Sequence, residues 1–227
     1  MTGRCQLCPC AVGRPSDGFV SLFGADHAVP EVLAQTEDFL VVLDVAPVTP
    51  GHALVVTRAH ERSFAAFWRN APQRVDAVAQ AVVTTLQRAT GRSAVVCEHG
   101  LGPNAVGHAG CVEHAHMHVI PADTPLLPAF RQAGVDLCEV SDLRQSLDCA
   151  IDQQYLYLLD TDSRRYAAVH ARFPSQLVRR LVAQKRGDLY WSWRDYVDFA
   201  AHVGTKQRII EGRNMYQHLA AYPVFTR

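Results

Sequence analysis

The stretch His114-Ala115-His116-Met117-His118-Val119-Ile120-Pro121 decides what this chain can be. Successive side chains of a β-strand point to opposite faces, so the spacing predicts three imidazoles on one face and Ala115, Met117 and Val119 on the other. The unperturbed pKa of imidazole, about 6.5, lies near working pH, so such a row can supply a neutral nucleophile together with hydrogen-bond donors. The pattern predicts a strand with one face in the core and one face suited to attack on phosphorus.

The same histidines allow other interpretations. A single histidine in a strand is usually packed or solvated, and two at alternate positions can bind a metal, since imidazole is the commonest metal ligand. Three in register, with an apolar opposite face and a proline at the end, favour a functional cluster. A hydrolase that holds an open zinc with all three histidines stays an alternative.

The composition is that of a globular protein that buries a normal core: 227 residues, 48% hydrophobic and 19% charged. Lysine plus arginine and aspartate plus glutamate both number 22, so charge gives no reason to expect a nucleic acid or a membrane as partner. The polar start Met1-Thr2-Gly3-Arg4 does not resemble a signal peptide. Seven cysteines in such a chain favour thiols and metal ligands over disulfides, and we expect a cytoplasmic protein.

The order of predicted elements indicates an α+β fold with a mostly antiparallel sheet and helices packed on it. Alternating and helical apolar patterns define the elements, and Gly91 is placed to end the long helix. In chain order they are strands at 37–44 and 52–57 joined by a turn at 47–51, a helix at 72–92, a strand at 93–98, a Gly-rich loop at 100–110 and the histidine strand.

Three prolines in the segment 121–128 mark a boundary. We therefore expect two parts, residues 1–125 and residues 126–227, of which the second is an α/β extension that packs on the first. The predicted elements of this extension are strands at 154–159 and 165–170 and helices at 175–185 and 205–219.

Three segments, taken together, resemble the histidine-triad (HIT) family of nucleotide hydrolases and transferases. They are Leu43 to Val56 with its Pro-Gly turn, Arg58-Ala59-His60, and the loop from Asn104 through the histidine strand. They occur in the family's order and at similar spacing. The resemblance implies that residues 1–125 form a HIT domain and that the rest is absent from minimal family members.

The resemblance implies roles for three histidines. In HIT enzymes the middle histidine, here His116, attacks the α-phosphorus and forms a covalent nucleotidyl-imidazole that water or another acceptor opens. The third histidine, here His118, and the one after the Pro-Gly turn, here His52, would hold the phosphate oxygens and the leaving group. Histidine at the third position resembles the hydrolase branches, whereas glutamine is typical of transferases and phosphorylases.

The nucleotide-binding positions follow from the same resemblance. Asp44 matches the position that binds ribose hydroxyls, with turn capping as the alternative, and Asn104 matches a loop asparagine near the phosphates. The family's Gly-Gln-Ser or Gly-Gln-Thr loop reads Ala109-Gly110-Cys111 here. Gly110 and Cys111 therefore stand where other members contact the phosphate or the leaving group, and a thiol is a weak donor.

Cys5-Gln6-Leu7-Cys8 is by itself either a zinc half-site or a redox couple. In bacterial HIT proteins two histidines complete the four zinc ligands, and their positions match His60 and His114. The resemblance thus implies a structural Zn²⁺ and no organic cofactor, with His114 tying the amino terminus to the catalytic strand from behind. Cys10 competes as a ligand, because Cys8-Pro9-Cys10 could shift the pair.

The C-terminal extension contributes two further candidates. Arginine forks suit phosphate recognition, so Arg179 or Arg180 could reach the active site and grip the leaving half of the substrate; the alternative is a solvated helix face. Trp191 and Trp193 are expected to pack the tail against the sheet or, if exposed, to stack on a base.

The function that the sequence predicts is hydrolysis of a nucleoside 5′-phosphoryl compound at the α-phosphorus, with release of a nucleoside monophosphate. A dinucleoside polyphosphate, a nucleotide phosphoramidate and a nucleotidylated metabolite all fit. One alternative is a nucleotidyltransferase or phosphorylase that uses the same intermediate. Another is a non-catalytic nucleotide-binding module. A homodimer is a possible assembly, since family members often pair through the helix and the adjacent strand.

Overall fold

The computed structural model describes residues 5–24, 31–106, 112, 114–141, 143–170, 172–188, 191–193 and 203–226. Within these residues eight strands form one sheet in the order β1-β2-β3-β5-β4-β7-β8-β6, and each pairing is antiparallel. The predicted α+β class with a mostly antiparallel sheet is therefore confirmed. The strands are β1 (Val32–Gln35), β2 (Phe39–Leu43), β3 (Ala53–Thr57), β4 (Ala94–Leu101), β5 (His116–Pro121), β6 (Cys138–Glu139), β7 (Gln154–Leu159) and β8 (Arg165–His170).

The helices lie on both faces of this sheet. Pro72 stands at the start of the longest helix, where its missing N–H costs nothing, and Gly91 ends it with a φ of 69°. The predicted helix over 72–92 is confirmed. The helices described are α1 (Cys8–Ala11), α2 (Asp17–Phe23), α3 (Ala65–Asn70), α4 (Pro72–Thr90), α5 (Leu127–Gln132), α6 (Leu143–Cys149), α7 (Leu177–Lys185) and α8 (Val203–Met215), followed by 3-10 turns at Leu219–Ala221 and Pro223–Phe225.

The histidine strand β5 begins at His116, two residues later than predicted. Just before it, the Ala115 N–H donates to the Glu61 carbonyl at 2.6 Å, so the chain has turned toward the loop after β3. His114 consequently lies in a bend outside the strand. The prediction of three imidazoles in one row is wrong for His114, and it holds for His116 and His118.

Two apolar clusters cover the face of the sheet that carries these two histidines. The first, here called the amino-terminal cluster, joins the segment before β1 to β2 and β3, and its buried members are Leu7, Cys10, Leu40, Val42, Leu54 and Val56. The second, here called the α7 cluster, packs α5 and α7 on β4, β5 and β7, and it includes Val95, Ile120, Leu156, Leu177 and Leu181. The histidines lie between the two clusters. The opposite face forms a larger core under α3, α4, α6 and α8.

The C-terminal extension continues the sheet. β7 pairs along β4 from Val96 opposite Leu159 to Leu101 opposite Gln154, and β8 pairs with β7. The sheet thus runs across residue 125, and the division into two domains stays a prediction. Since β7 occupies the edge of β4, a second copy cannot pair with that edge, and the homodimer also stays a prediction.

A buried carboxylate fastens β7 to the helices beneath the sheet. Glu98 on β4 accepts hydrogen bonds from the Tyr155 hydroxyl at 2.7 Å, the Trp68 indole N–H at 2.9 Å and the Phe64 N–H at 2.7 Å. Gly100 is required beside it, because a Cβ there would come within 2.2 Å of the Tyr155 ring. No helix in the part of the chain described combines the length and apolarity that a bilayer crossing needs.

Candidate active site

The His116 ring is oriented by its own strand. Its Nδ1 lies 2.7 Å from the His114 carbonyl oxygen, which can only accept, so Nδ1 carries the proton. The other ring nitrogen, Nε2, therefore keeps its lone pair, and the ring lines the cleft between the two apolar clusters. Burial lowers the pKa of His116 below the ordinary 6.5. The site thus contains a neutral imidazole whose outer nitrogen is unprotonated.

His52 fixes the protonation of His118. The backbone N–H of Val48 points at His52 Nδ1 at 3.4 Å and can only donate, so the His52 proton is on Nε2. His52 Nε2 lies 2.9 Å from His118 Nδ1, which must then accept and leave the His118 proton on Nε2. Burial lowers the pKa of His52 to about 4 and that of His118 well below its ordinary value. Both rings are neutral at pH 7, and His118 has an N–H to donate.

Asp44 forms a buried ion pair with Arg179 of α7. Arg179 Nη1 donates to Asp44 Oδ2 at 2.7 Å, the Ala46 N–H donates to Asp44 Oδ1 at 2.7 Å, and His52 Nε2 lies 3.3 Å from Oδ2. Burial alone would raise the pKa of Asp44, but the guanidinium holds it below its ordinary value. Arg179 also donates from Nε to the Trp191 carbonyl at 2.9 Å and from Nη2 to the Ala46 carbonyl. The alternative prediction, that Arg179 lies on a solvated helix face, is therefore wrong.

The walls of the cleft are mostly apolar. Leu7 contributes from the amino-terminal cluster, and Leu177 and Val178 contribute from α7. Trp193 also lines the cleft, and its backbone N–H donates to the Gln176 side-chain oxygen at 2.9 Å. The C-terminal extension thus supplies one wall of the site.

The structure does not bring every predicted position into the cleft. Asn104 is exposed in the turn after β4, its backbone N–H donates to the Ile151 carbonyl at 2.9 Å, and it is absent from the described lining of the cleft. Gly110 and Cys111 lie outside the residues that the structure describes. The roles of these three positions stay predictions.

One cleft histidine was missed by the sequence interpretation. His99 lines the cleft beside His118, and its Nε2 lies 3.0 Å from the Gln154 side-chain oxygen. Cys97 pairs with His118 in the β4–β5 ladder, so Cys97 and His99 share the face of His118. Their spacing of two residues along the strand already indicated that Cys97 and His99 share one face of the sheet. It could not say which face, because that depends on register.

Cys5, Cys8, His60 and His114 converge as the sequence predicted, with their ligand atoms within 4.8 Å of one another. The sulfur-to-nitrogen distances are 3.4 Å from Cys5 to His114, 3.1 Å from Cys8 to His60 and 3.6 Å from Cys8 to His114. Zinc–sulfur and zinc–nitrogen bonds of about 2.3 and 2.0 Å at tetrahedral angles place sulfur and nitrogen roughly 3.5 Å apart. His114 Nε2 donates to the Thr57 carbonyl at 2.7 Å, which leaves Nδ1 unprotonated toward the sulfurs. The four side chains fit a structural zinc.

The position predicted for this group, behind the catalytic strand, is wrong. Cys10 is buried in the amino-terminal cluster together with Leu54 and Val56. These two residues pair with His118 and His116, so the amino-terminal segment lies on the face that carries the histidines. It flanks the cleft, and Cys10 belongs to the core rather than to the group of four.

A second group, Asp44, His52 and His118, also has its ligand atoms within 4.8 Å. A metal-binding histidine normally donates its other ring N–H to an acceptor, whereas the second nitrogen of His52 faces the N–H of Val48. The Arg179 guanidinium further places a positive charge 2.7 Å from the carboxylate. Proton positions and charge both disfavour a cation at this second group. The open-zinc alternative needs all three histidines of the segment, and His114 lies outside the strand with its Nδ1 3.4 Å from Cys5 Sγ, so that alternative is disfavoured.

Comparison with known proteins finds one family model that matches within the first part of the chain. Residues 28–124 match the family model described as the HIT domain, so the resemblance predicted from the sequence is confirmed for this region. No curated protein matches the chain.

The solved structures that match part of the chain include the following three. One is a hypothetical histidine triad nucleotide-binding protein from Sulfolobus tokodaii, 20% identical over 40% of this chain and 60% of that chain, with a TM-score of 0.30. The second is yeast Ap4A phosphorylase in complex with AMP, 17% identical over 62% of this chain and 60% of that chain, with a TM-score of 0.38.

The third is a Zn-bound histidine triad family protein from Mycobacterium smegmatis, 21% identical over 65% of this chain and 90% of that chain, with a TM-score of 0.34. The chain therefore spans about 60% of the length of the Sulfolobus and yeast proteins and most of the mycobacterial one.

Replacing Arg179 by methionine should lower the free energy of unfolding by about 3–5 kcal/mol, because the Asp44 carboxylate would stay buried without its partner. Chemical denaturation at pH 7 measures this change. The matched control is Arg186→Met at the end of α7, whose pair with Asp188 at 3.4 Å is exposed and should contribute less than about 1 kcal/mol. Equal effects of the two substitutions would contradict the buried ion pair.

Proposed function

We propose that the chain is a nucleotide-processing enzyme that cleaves a nucleoside 5′-phosphoryl compound through a covalent nucleotidyl-His116 intermediate and releases a nucleoside monophosphate. The observation that carries the proposal is the 2.7 Å hydrogen bond from His116 Nδ1 to the His114 carbonyl, which leaves Nε2 free to attack. The HIT-domain match over residues 28–124 supports this reaction class. Dinucleoside polyphosphates, nucleotide phosphoramidates and nucleotidylated metabolites are the candidate substrates.

In the first step the lone pair of His116 Nε2 forms a bond to the α-phosphorus. The bond from phosphorus to the leaving group breaks, and its electron pair departs with the leaving group, which takes a proton from water. Positive charge develops on the imidazole, and the His114 carbonyl stabilises it at Nδ1. The N–H of His118, set by His52, donates to a phosphoryl oxygen as negative charge grows there.

In the second step a water molecule attacks the same phosphorus. The bond from phosphorus to His116 Nε2 breaks, the electron pair returns to the ring, and the water proton passes to solvent. Splitting one displacement into two lowers the barrier of each. Hydrolysis is proposed rather than transfer because histidine, and not glutamine, occupies position 118.

We also propose that Cys5, Cys8, His60 and His114 hold a structural zinc ion. Bound there, the metal would supply folding free energy and take no part in the chemistry. The support is the tetrahedral fit of the sulfur and nitrogen distances together with the 2.7 Å hydrogen bond from His114 to Thr57. The site would join the amino-terminal segment to the residue two positions before the nucleophile.

Wild-type protein incubated briefly with a panel of nucleotide conjugates should gain the mass of one nucleotidyl group, and His116→Ala should not. Turnover by His116→Ala should fall by about 10³-fold or more, because the covalent route is lost. His170→Ala, an exposed histidine on β8, is the matched control and should keep both the adduct and the rate. An adduct that persists in His116→Ala would refute the assignment.

The same experiment separates hydrolysis from transfer. With phosphate or an alcohol added as acceptor, a hydrolase still gives the nucleoside monophosphate, whereas a transferase gives the phosphorolysis or transfer product. A wild-type protein that binds nucleotides but forms neither adduct nor product would be the non-catalytic module.

When kcat/KM is measured from pH 8 down to about pH 5, its acidic limb should be centred below the ordinary imidazole pKa of 6.5. The active ring is the neutral one, and burial lowers the pKa of His116 from its ordinary 6.5, so protonation removes the nucleophile only in more acidic solution. Initial rates across this range measure the profile, with circular dichroism to verify folding. An acidic limb centred above pH 6.5 would contradict the proposed environment.

Cys8→Ser should remove about one zinc per chain, measured by inductively coupled plasma mass spectrometry. The free energy of unfolding should fall by about 2 kcal/mol or more, which corresponds to a drop in Tm of roughly 4–8 °C for a chain of this size. Cys138→Ser, an exposed cysteine on β6, should change neither quantity. Brief chelation should leave the initial rate intact, and immediate loss of turnover from a folded protein would instead indicate a catalytic metal.

A further inference from the structure

Three residues of the C-terminal segment share the side that lies against the turn at 47–51. Arg208, Gly212 and Tyr216 are spaced by four residues, which keeps them on one side of α8 and of the turn that ends it. Tyr216 is buried in the core on the sheet face opposite the histidines, so α8 approaches the turn from the side away from the cleft. Arg208 Nη1 lies 3.3 Å from the Pro47 carbonyl oxygen at the start of the turn.

Tyr216 donates a buried hydrogen bond to the other end of the turn. Its hydroxyl lies 2.6 Å from the Gly51 carbonyl oxygen, which can only accept. Tyr216 is 3% exposed, so this bond is shielded from water. Removing the hydroxyl would leave a buried carbonyl without this donor, which is unfavourable, and the turn would be free to shift toward another partner.

Gly212 lets the helix come close to the backbone of the same turn. A Cβ at position 212 would lie 2.8 Å from the Gly51 nitrogen, so something would have to shift to make room for it. Gly51 has a φ of 83°, and a Cβ there would lie 2.9 Å from Leu86 and 3.0 Å from Met215 Sδ. Glycine is unfavourable inside a helix, and the close approach explains its presence at position 212.

The turn in its place holds the His52 ring. The His52 N–H donates to the Thr49 carbonyl at 3.1 Å, and the Val48 N–H points at His52 Nδ1 at 3.4 Å. Because the second contact is long, a small displacement of the turn would break it. The proton could then move from Nε2 to Nδ1 of His52, and His118 would no longer be held in the form that carries its proton on Nε2.

We infer that Gly212 and Tyr216 are positioning residues for the reaction, because they hold the turn that keeps the His52 proton on Nε2. The inference rests on the proposed function and extends it to the C-terminal helix, which touches none of the reacting atoms. Asp44 Oδ2 lies 3.3 Å from His52 Nε2 and favours the same tautomer. A loosened turn should therefore shift the tautomer balance in part rather than invert it.

The effect should be larger on the rate than on binding. The N–H of His118 acts on negative charge that grows on the phosphoryl oxygen as the His116 adduct forms. An interaction that strengthens only in the transition state lowers kcat when it is lost and leaves ground-state binding nearly unchanged. A helix that contributed only to stability would change neither quantity in a protein that remains folded.

Tyr216→Phe removes only the hydroxyl that contacts the turn. The probes are adenosine and guanosine 5′-phosphoramidates and diadenosine tetraphosphate, and the one that wild type converts fastest is used. The single-turnover rate of adduct formation should fall about three- to tenfold, while Kd for AMP or GMP stays within about twofold. Tyr222→Phe is the matched control, because the Tyr222 hydroxyl is buried with no hydrogen-bond partner among the residues described. An unchanged rate in folded Tyr216→Phe, or an equal fall in Tyr222→Phe, would overturn the inference.

Two glycines of α8 separate positioning from helix stability. Alanine is the better helix former at both positions. A Cβ at Gly204 meets no atom of the described part of the chain within 4 Å, whereas one at Gly212 meets the turn. Gly212→Ala should therefore slow adduct formation about threefold or more, and Gly204→Ala should keep the wild-type rate. A wild-type rate in folded Gly212→Ala would overturn the inference, and if that variant does not fold, Tyr216→Phe decides.

The His52 ring gives a direct measurement of the tautomer. In wild-type protein at pH 7, ¹⁵N spectra should show His52 Nε2 protonated and Nδ1 unprotonated, with well separated resonances. In Tyr216→Phe the two resonances should move toward each other, and in Tyr222→Phe they should stay at the wild-type positions. Wild-type resonances in folded Tyr216→Phe would overturn the inference.

The outcomes also separate this inference from the proposed function. The ring measurement needs no substrate, so it decides whether the helix fixes His52 even if no conjugate forms an adduct. Absence of an adduct with every probe would overturn the proposed function. A wild-type adduct whose formation does not respond to Tyr216→Phe would overturn the inference alone.

Discussion

The ion pair between Asp44 and Arg179 holds the two halves of the chain together at the histidine cleft. Asp44 follows β2 in the first half and Arg179 lies on α7 in the second, and their atoms approach to 2.7 Å in a buried environment. A buried pair is tolerated only when its remaining donors and acceptors are satisfied. Here the carbonyls of Ala46 and Trp191 and the N–H of Ala46 do this. Through His52 the same carboxylate also reaches His118, so the protonation of the cleft depends on a contact made by the C-terminal extension.

Neighbouring histidines of one short segment have different surroundings because the strand begins inside the segment. His114 precedes β5 and turns toward two thiols, while His116 and His118 point into the cleft from within the strand. The His114 backbone still serves the cleft, since its carbonyl accepts from His116. One residue thus links the cysteine group to the candidate nucleophile through its side chain and its carbonyl. The cysteine group and the histidine cleft can therefore use neighbouring residues of one segment without competing for the same side chains.

Local patterns predicted the elements whose cause is local. The apolar spacing of α4 and the glycine at 91 defined that helix, and the turn before His52 defined the β2–β3 hairpin. The resemblance placed Cys5, Cys8, His60 and His114 in one group, which the structure brings together. Register and long-range contacts were beyond the sequence. Nothing local says that β7 pairs with β4 or that His99 shares the face of His118, and the pairing of Arg179 with Asp44 joins residues 135 positions apart.

The pairing of β7 with β4 lets a single chain cover the edge of β4 without a second molecule. In β4, seven of eight residues are buried, and without its neighbour the strand would present a long, apolar row of unpaired N–H and C=O groups. Such edges nucleate aggregation or recruit another polypeptide. By carrying the covering strand on the same chain, the molecule closes that edge at any dilution, since an intramolecular contact does not depend on protein concentration. The extension therefore supplies the strand that protects this edge, and residues 1–125 by themselves would leave it open to association with other chains.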